Sequence, residues 1–297
     1  FQFVPDAEPA EERRNSLIDS AVLMLGHLDG YCPPESKVAV FDIGSSEKRT
    51  MIAVLLPDLP FIVDSIRMEL RRQGAPIRSI LSVPLEVDRD GEGKLLDVTG
   101  EGASNTSHRE AVICVETDWL DSSDDRQRIQ SGVQESLQHV RHAVEDFSAM
   151  KERALVEAEY LSGHHALLEG EDWEEAREFL KWLGDSNFVF LGFDEHRFVK
   201  KDGTRILEPV EGSVLGTMKF HAQRKSWVID SLPSEARGFV EAKTILTFVN
   251  STHRSRVHRA VYPDYITVKR FGEDGEIVSV CRFLGLFTSS VYHQEPS

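Results

Sequence analysis

The stretch Met51-Ile52-Ala53-Val54-Leu55-Leu56-Pro57-Asp58-Leu59-Pro60-Phe61-Ile62-Val63-Asp64-Ser65-Ile66 decides the fold. Its first six residues are an apolar run of strand length. Pro57 to Pro60 then reads as a turn. Asp58 is placed to cap a following helix, and Pro60 suits the first helical position, where a missing N–H costs nothing. Ile62, Val63, Ile66 and Leu70 recur at helical spacing opposite Arg67, Arg71 and Arg72, and Gly74 with Pro76 stops the helix.

Working towards the C-terminus, Ile77 to Val87 reads as a strand, Arg89-Asp90-Gly91 as a hairpin turn and Lys94 to Val98 as its return. A polar loop (Thr99 to Glu110) leads to a strand over Ala111 to Thr117. Ile129, Val133, Leu137, Val140, Val144 and Phe147 then step by threes and fours, which predicts one long helix. The order β-α-β-β-(β)-α over residues 49–149 predicts helices covering one face of an antiparallel sheet.

On the other side, residues 1–48 read as a separate helical and extended segment. It has a short helix from Ser16 to Leu28 (Leu17, Val22, Leu25 and Leu28 inward), ended by Cys32-Pro33-Pro34, and a weakly strand-like Lys37 to Ile43. Residues 150–185 read as a helical connector. Asp172 and Glu175 resemble a capping box for a helix using Trp173, Ala176, Leu180 and Leu183, closed by Gly184. Residues 111–185 hold 18 acidic and 7 basic side chains, a charge run that suits a solvated helix face. Residues 186–297 form a second unit. Phe188 to Phe193 is a buried-strand run, Phe198 to Leu207 folds around Asp202-Gly203, and strands are expected over Lys243 to Val249, Ala260 to Phe271 and Ile277 to Thr288. The fold class is therefore α+β, with two antiparallel-sheet modules joined by a helical connector.

Composition agrees with this division. A chain of 297 residues and 33.5 kDa favours two domains, and 40 % hydrophobic with 28 % charged residues excludes wholesale disorder. A net charge of −16 argues against nucleic-acid and anionic-membrane partners, and no apolar run has the length of a membrane span. Three cysteines make no disulfide framework, so a reducing, cytoplasmic setting is expected. The chain opens on Phe1 without a secretion signal and stops at Ser297 just past a strand-like run, as a piece of a longer polypeptide would.

No motif carries a reaction mechanism. Gly100-Glu101-Gly102 lacks the third glycine and the helix of a dinucleotide site, and Gly212 with Gly216 lacks the Lys-Ser/Thr of a phosphate loop. His139 with His142, and His164-His165, have no companions to complete a zinc site, and Gly-x-Ser-x-Gly is absent. No catalytic, cofactor-binding or metal-binding residue is assigned.

Two features remain. Residues 243–270 carry Lys243, Arg254, Arg256, Arg259, Lys269 and Arg270 against Asp264 alone. This basic segment reads either as a surface docking on an acidic partner, such as the helical stretch of the same chain, or as an anion site built from Arg forks. The turn Asp58-Leu59-Pro60-Phe61, with Asp64 behind it, reads either as a capped helix start or as a seat for an amino-acid carboxylate on free helix amides.

Leu59-Pro60-Phe61-Ile62-Val63-Asp64-Ser65-Ile66 resembles a segment of the amino-terminal region of the very large, multidomain NAD-dependent glutamate dehydrogenases of bacteria. So do Asn187-Phe188-Val189-Phe190-Leu191-Gly192-Phe193, Val257-His258-Arg259, Asp264 to Phe271, and Arg282-Phe283-Leu284-Gly285-Leu286-Phe287-Thr288-Ser289. The resemblance spans about residues 50–292. It implies a regulatory or oligomerisation fragment with ACT-like βαββαβ and PAS-like modules. An amino acid is the implied effector, and the rest of the polypeptide and further copies of the chain are the implied partners. NAD is the implied cofactor of the parent enzyme alone. The parent reaction would convert L-glutamate, NAD+ and water to 2-oxoglutarate, NH4+ and NADH.

Two departures stand out. An ACT module needs a fourth strand after its second helix, a place that Lys37 to Ile43 is free to fill from the other end. Many amino-acid-binding ACT modules carry glycine at the turn where Pro60-Phe61 stands here. The rival reading is a self-contained enzyme or binding protein for an anionic metabolite, using the Arg-rich 254–270 segment.

Overall fold

The computed structural model describes residues 24, 26–44, 48–99, 108–164, 173–220 and 226–288. Leu17, Val22 and Leu25 of the first expected helix, the glycines Gly100 and Gly102, His165 and Asp172 lie outside the described residues. Strand β1 (Lys37–Ile43) pairs antiparallel with β2 (Arg49–Pro57), Val40 facing Ile52. Helix α1 (Ile62–Arg72), β3 (Ile77–Arg89), β4 (Leu95–Thr99), β5 (His108–Asp118) and α2 (Ser123–Glu145) follow. The five strands lie in the order β1-β2-β5-β3-β4, with every neighbouring pair antiparallel.

Period-two alternation along β2 feeds two apolar layers. Met51, Ala53 and Leu55 pack with Met24, Leu28, Tyr31, Ile43 and Val112. Ile52, Val54 and Leu56 project the opposite way and are fully or almost fully buried, as are Ile62, Ile66 and Leu70 of α1 and Ile129, Val133, Leu137 and Val140 of α2. Burial of these side chains contributes on the order of 1.5–3 kcal/mol each before entropy is charged against it. At Gly132 a Cβ would lie 2.0 Å from Gln73 Nε2 and 2.2 Å from Glu69 Oε1, so α2 carries no side chain where it meets the end of α1.

The expected boundaries shift. Because β1 is hydrogen-bonded along β2 and Met24, Leu28 and Tyr31 sit in the same core, residues 24 and 26–43 belong with the first sheet and its core rather than to a separate segment ending at 48. The sheet edge beside β2, where an ACT module has its fourth strand, is occupied from the N-terminal side. Two compact units divide the chain: residues 1–140 with 256–260, and residues 141–255 with 261–297. The division falls inside α2, not at 149.

The single long helix expected through Phe147 is two. It breaks at Asp146, whose carboxylate accepts the Gly216 N–H at 2.6 Å and pairs with Lys219 Nζ at 2.6 Å, and α3 (Phe147–Gly163) begins after it. After α4 (Trp173–Trp182), an irregular turn over Leu183–Asn187 leads to the second sheet: β6 (Phe188–Lys201), β7 (Thr204–Pro209), β8 (Leu215–Gly216) and β9 (Trp227–Val228). Helix α5 (Ser234–Glu241) then precedes β10 (Leu246–Asn250), β11 (Asp264–Phe271) and β12 (Ile277–Phe287). Their order is β10-β11-β12-β6-β7-β9, with β8 against β6. Asp202 at φ 50° and Gly203 at φ 80° make the β6–β7 turn, a left-handed pair that matches the twist of a hairpin.

Residues 150–164 and 173–185 are not a solvated connector. Met150, Ala154, Ala158, Leu161, Ala176, Leu180 and Leu183 form one core with Phe188, Phe190, Phe193, Ile266, Val268, Cys281 and Phe283. The acidic residues that suggested solvent lie mostly on the outer sides of α3 and α4. Glu157 is the exception and is fully buried. It receives a two-pronged contact from Arg270 (Nε to Oε2 2.8 Å, Nη2 to Oε1 2.5 Å), and the Cys281 thiol donates to Oε1 at 3.3 Å. Glu157→Ala will therefore lower the unfolding free energy by about 3–5 kcal/mol, since it strands a half-buried guanidinium. Chemical denaturation should show the double variant Glu157→Leu/Arg270→Met to be more stable than the single one, and the opposite ranking would refute the pairing.

Candidate functional site

The strand-to-helix turn after β2 departs from its expected form. Asp58 does not cap α1. Its N–H donates to the Arg109 carbonyl at 3.0 Å, and its carboxylate pairs with Arg109 Nε at 2.9 Å, both on β5. Nor is Pro60 the first helical residue, because Phe61 intervenes at φ 69°, ψ 0° and Ile62 starts the helix with no side-chain cap. A left-handed residue between proline and helix displaces the proline from the position it favours.

Residues 256–260 group with this first unit and lie over the same turn. The Phe61 ring stands 4.7 Å from that of His258, itself at φ 68°, and the His258 N–H donates to Ser65 Oγ at 3.3 Å. Val257 is buried, Arg256 Nη1 pairs with Glu135 at 2.6 Å, and Ser136 Oγ donates to the Arg256 carbonyl at 3.2 Å. Burial pushes the His258 imidazole below its ordinary value, helped by Arg259 and opposed by Asp64. The Phe61 ring and the His258 imidazole thus pack together at the turn where an amino-acid carboxylate was expected to sit. The turn also lacks the glycine-thin backbone that a dinucleotide pyrophosphate needs.

The basic segment is divided between the two units. Arg256 and Arg259 lie in the first unit, and Arg254, Lys269 and Arg270 in the second. Arg254 lies over the Tyr262 ring with Cζ 5.4 Å from its centre. Lys269 is fully buried, and its Nζ donates to the carbonyls of Phe239 (2.8 Å) and Ala242 (2.5 Å) at the C-terminal end of α5, where a cation meets the negative end of the helix. Arg270 leaves the opposite face of β11 to reach Glu157. Among the described residues no cluster of three or more His, Cys, Asp or Glu side chains is placed to hold a metal ion. No described helix is long and apolar enough to cross a membrane.

With this geometry in view, comparison with known proteins is informative. The sequence model for "Glutamate dehydrogenase, ACT1 domain" matches residues 1–133. Over residues 1–133 the chain is therefore similar to a glutamate dehydrogenase ACT1 domain. Beyond it, similarity continues through the whole chain. The NAD-specific glutamate dehydrogenase of Halomonas elongata is 34 % identical over 100 % of this chain, and that of Pseudomonas aeruginosa 31 % identical over 99 %. The Mycobacterium tuberculosis protein of the same name is 24 % identical over 76 %. The chain spans 19 % and 18 % of the length of the first two relatives. The matched region thus comprises the β1-to-β5 sheet with α1 and the first part of α2, and the second sheet lies outside it.

Sequence reasoning missed one group outside the matched region. On the face of the second sheet opposite Phe193 and Phe283, Arg282 Nε donates to Asp194 Oδ1 at 2.8 Å, and its Nη2 reaches Oδ2. The guanidinium lies 5.9 Å from the Trp227 ring and 5.8 Å from that of Tyr265. The signal was present as ionisable residues next to apolar runs, Asp194 to Arg197 after Phe188–Phe193 in β6 and Arg282 between Cys281 and Phe283 in β12. It matched no motif.

Two measurements test the two regions. Phe61→Ala keeps the left-handed backbone and loses the ring, whereas Phe61→Gly loses the ring and relieves the backbone. The glycine variant should be about 1 kcal/mol more stable than the alanine variant in denaturant titrations. Burial lowers the Lys269 ammonium from 10.5 to about 8. Between those values the unfolded chain holds a proton that the folded chain has released, so this group makes stability rise with pH across the window. Denaturation at several pH values should show that rise relative to Lys269→Met, and parallel profiles would contradict it.

Proposed function

We propose that this chain is a non-catalytic regulatory region of an NAD-dependent glutamate dehydrogenase, one that responds to a free amino acid and takes part in assembling the enzyme's subunits. The observation that carries this reading is similarity along the full chain to relatives of which it spans less than a fifth. Hydride transfer, with NAD, then belongs to another stretch of the polypeptide, and the region acts by preferring one arrangement of the enzyme over another. The same proposal puts the chain at the amino-terminal end of that enzyme, in a cytoplasmic setting. For the second unit, the strand order in which the β6–β7 hairpin joins β10, β11 and β12 along the β12–β6 pair supports a PAS-like module. The rival reading, an enzyme using Arg254, Arg256, Arg259 and Lys269, needs side chains that converge. Arg256 is engaged by Glu135 and Lys269 by the end of α5.

The test is an activity assay on the isolated chain. Supplied with L-glutamate and NAD+, it should produce no NADH, while the full-length parent should. Turnover by the isolated chain would overturn the assignment.

A further inference from the structure

We propose that Asp194 and Arg282, framed by Trp227, Tyr265 and His196, form a binding site for the backbone of a free α-amino acid on the second sheet. The inference rests on the amino-acid response proposed above and gives it a place. Asp194 (β6) and Arg282 (β12) are register partners on adjacent strands, so the sheet fixes the separation of their backbones. They meet through Arg282 Nε and Nη2 on the two carboxylate oxygens. An amino acid carries the complementary pair of charges on one carbon, a carboxylate for the guanidinium and an ammonium for Asp194. Its zwitterion exchanges one internal ion pair for two with the ligand, and no net charge is buried.

The surroundings suit that exchange. The Arg282 side chain is about one-third exposed while that of Asp194 is mostly covered, so the guanidinium is the reachable end. Rings border it on both sides, Trp227 and Tyr265. Such surfaces lower the local dielectric and give a ligand side chain something to lie on.

His196 supplies the independent observation. Its side chain is 4 % exposed, its ring lies 5.0 Å from that of Trp227, and its Nδ1 is 3.8 Å from Asp194 Oδ1. That buried nitrogen has no hydrogen-bond partner among the described residues. Burial holds the imidazole below its ordinary value, against the pull of Asp194, so near neutral pH the ring is uncharged. A buried ring nitrogen beside the carboxylate that would hold an ammonium is a polar group left for a ligand to satisfy.

Isothermal titration calorimetry on the full 297-residue chain tests the site, using the twenty common L-amino acids as probes. At least one should bind. For that amino acid, the N-acetyl derivative (no ammonium) and the amide (no carboxylate) should each bind about 10- to 100-fold more weakly, and Asp194→Asn and Arg282→Lys should weaken the parent amino acid to a similar degree. Binding should also change Trp227 fluorescence, as judged against Trp227→Phe, and Asp58→Asn should leave the affinity unchanged. Equal binding of the acetylated and amidated ligands overturns the proposal, as does affinity retained in the Asp194 and Arg282 variants. Silence with every amino acid overturns it as well. The assay for NADH formation is independent of all of these, so the non-catalytic assignment can survive the loss of this site.

Discussion

Glu157 and Arg270 set the terms for the second unit. A fully buried carboxylate touches Cys281, a member of the core that also holds Phe188, Phe190, Phe193 and Phe283, and an unpaired charge there would cost several kcal/mol. It is tolerated because the planar guanidinium meets both carboxylate oxygens, the Cys281 thiol donates to one of them, and the Tyr160 ring lies 5.1 Å from Arg270 Cζ. The Tyr160 hydroxyl donates in turn to the Phe271 carbonyl at 2.8 Å. Apolar contacts between helix and sheet accept small slides, whereas a forked ion pair does not. The pair therefore fixes where α3 lies along β11.

In the first unit a different constraint operates, the alternation along β2. Each of its two faces must be covered, and the chain uses α1 and α2 for one and residues 24–31 for the other. The same strand needs hydrogen-bonding neighbours on both edges. β5 supplies one and β1 the other, so a strand on the N-terminal side of β2 completes the sheet. Both units thus depend on residues that a reading by contiguous segments assigns elsewhere: β1 to an N-terminal arm, and α3 with α4 to a connector.

These displacements show what was legible. The period of Ile62, Ile66 and Leu70, the apolar run of β2 and the Asp202-Gly203 turn are local signals, and each produced the expected element. Helix α5 gave no signal, because none of its residues is buried and so no apolar face marks it. The break at Asp146 was hidden because Phe147 continues the helical spacing of the residues before it, although its ring packs 6.0 Å from Phe190 in the second core. At the turn after β2, Asp58 and Pro60 have the right identities for a helix start. What overrides them is a left-handed Phe61 held against His258, almost 200 positions away in the chain. The Asp194–Arg282 pair likewise joins strands far apart in sequence, and only the sheet register reveals it.

The placement of the three thiols has a practical side. Cys281 is buried beside a carboxylate, and Cys114 is half-buried, its thiol pushed up to about 11 by burial. Neither supplies much thiolate near neutral pH, the species that alkylating reagents attack. Cys32 is exposed. A maleimide dye should therefore attach at one position of the native chain, giving a spectroscopic handle without any engineered cysteine.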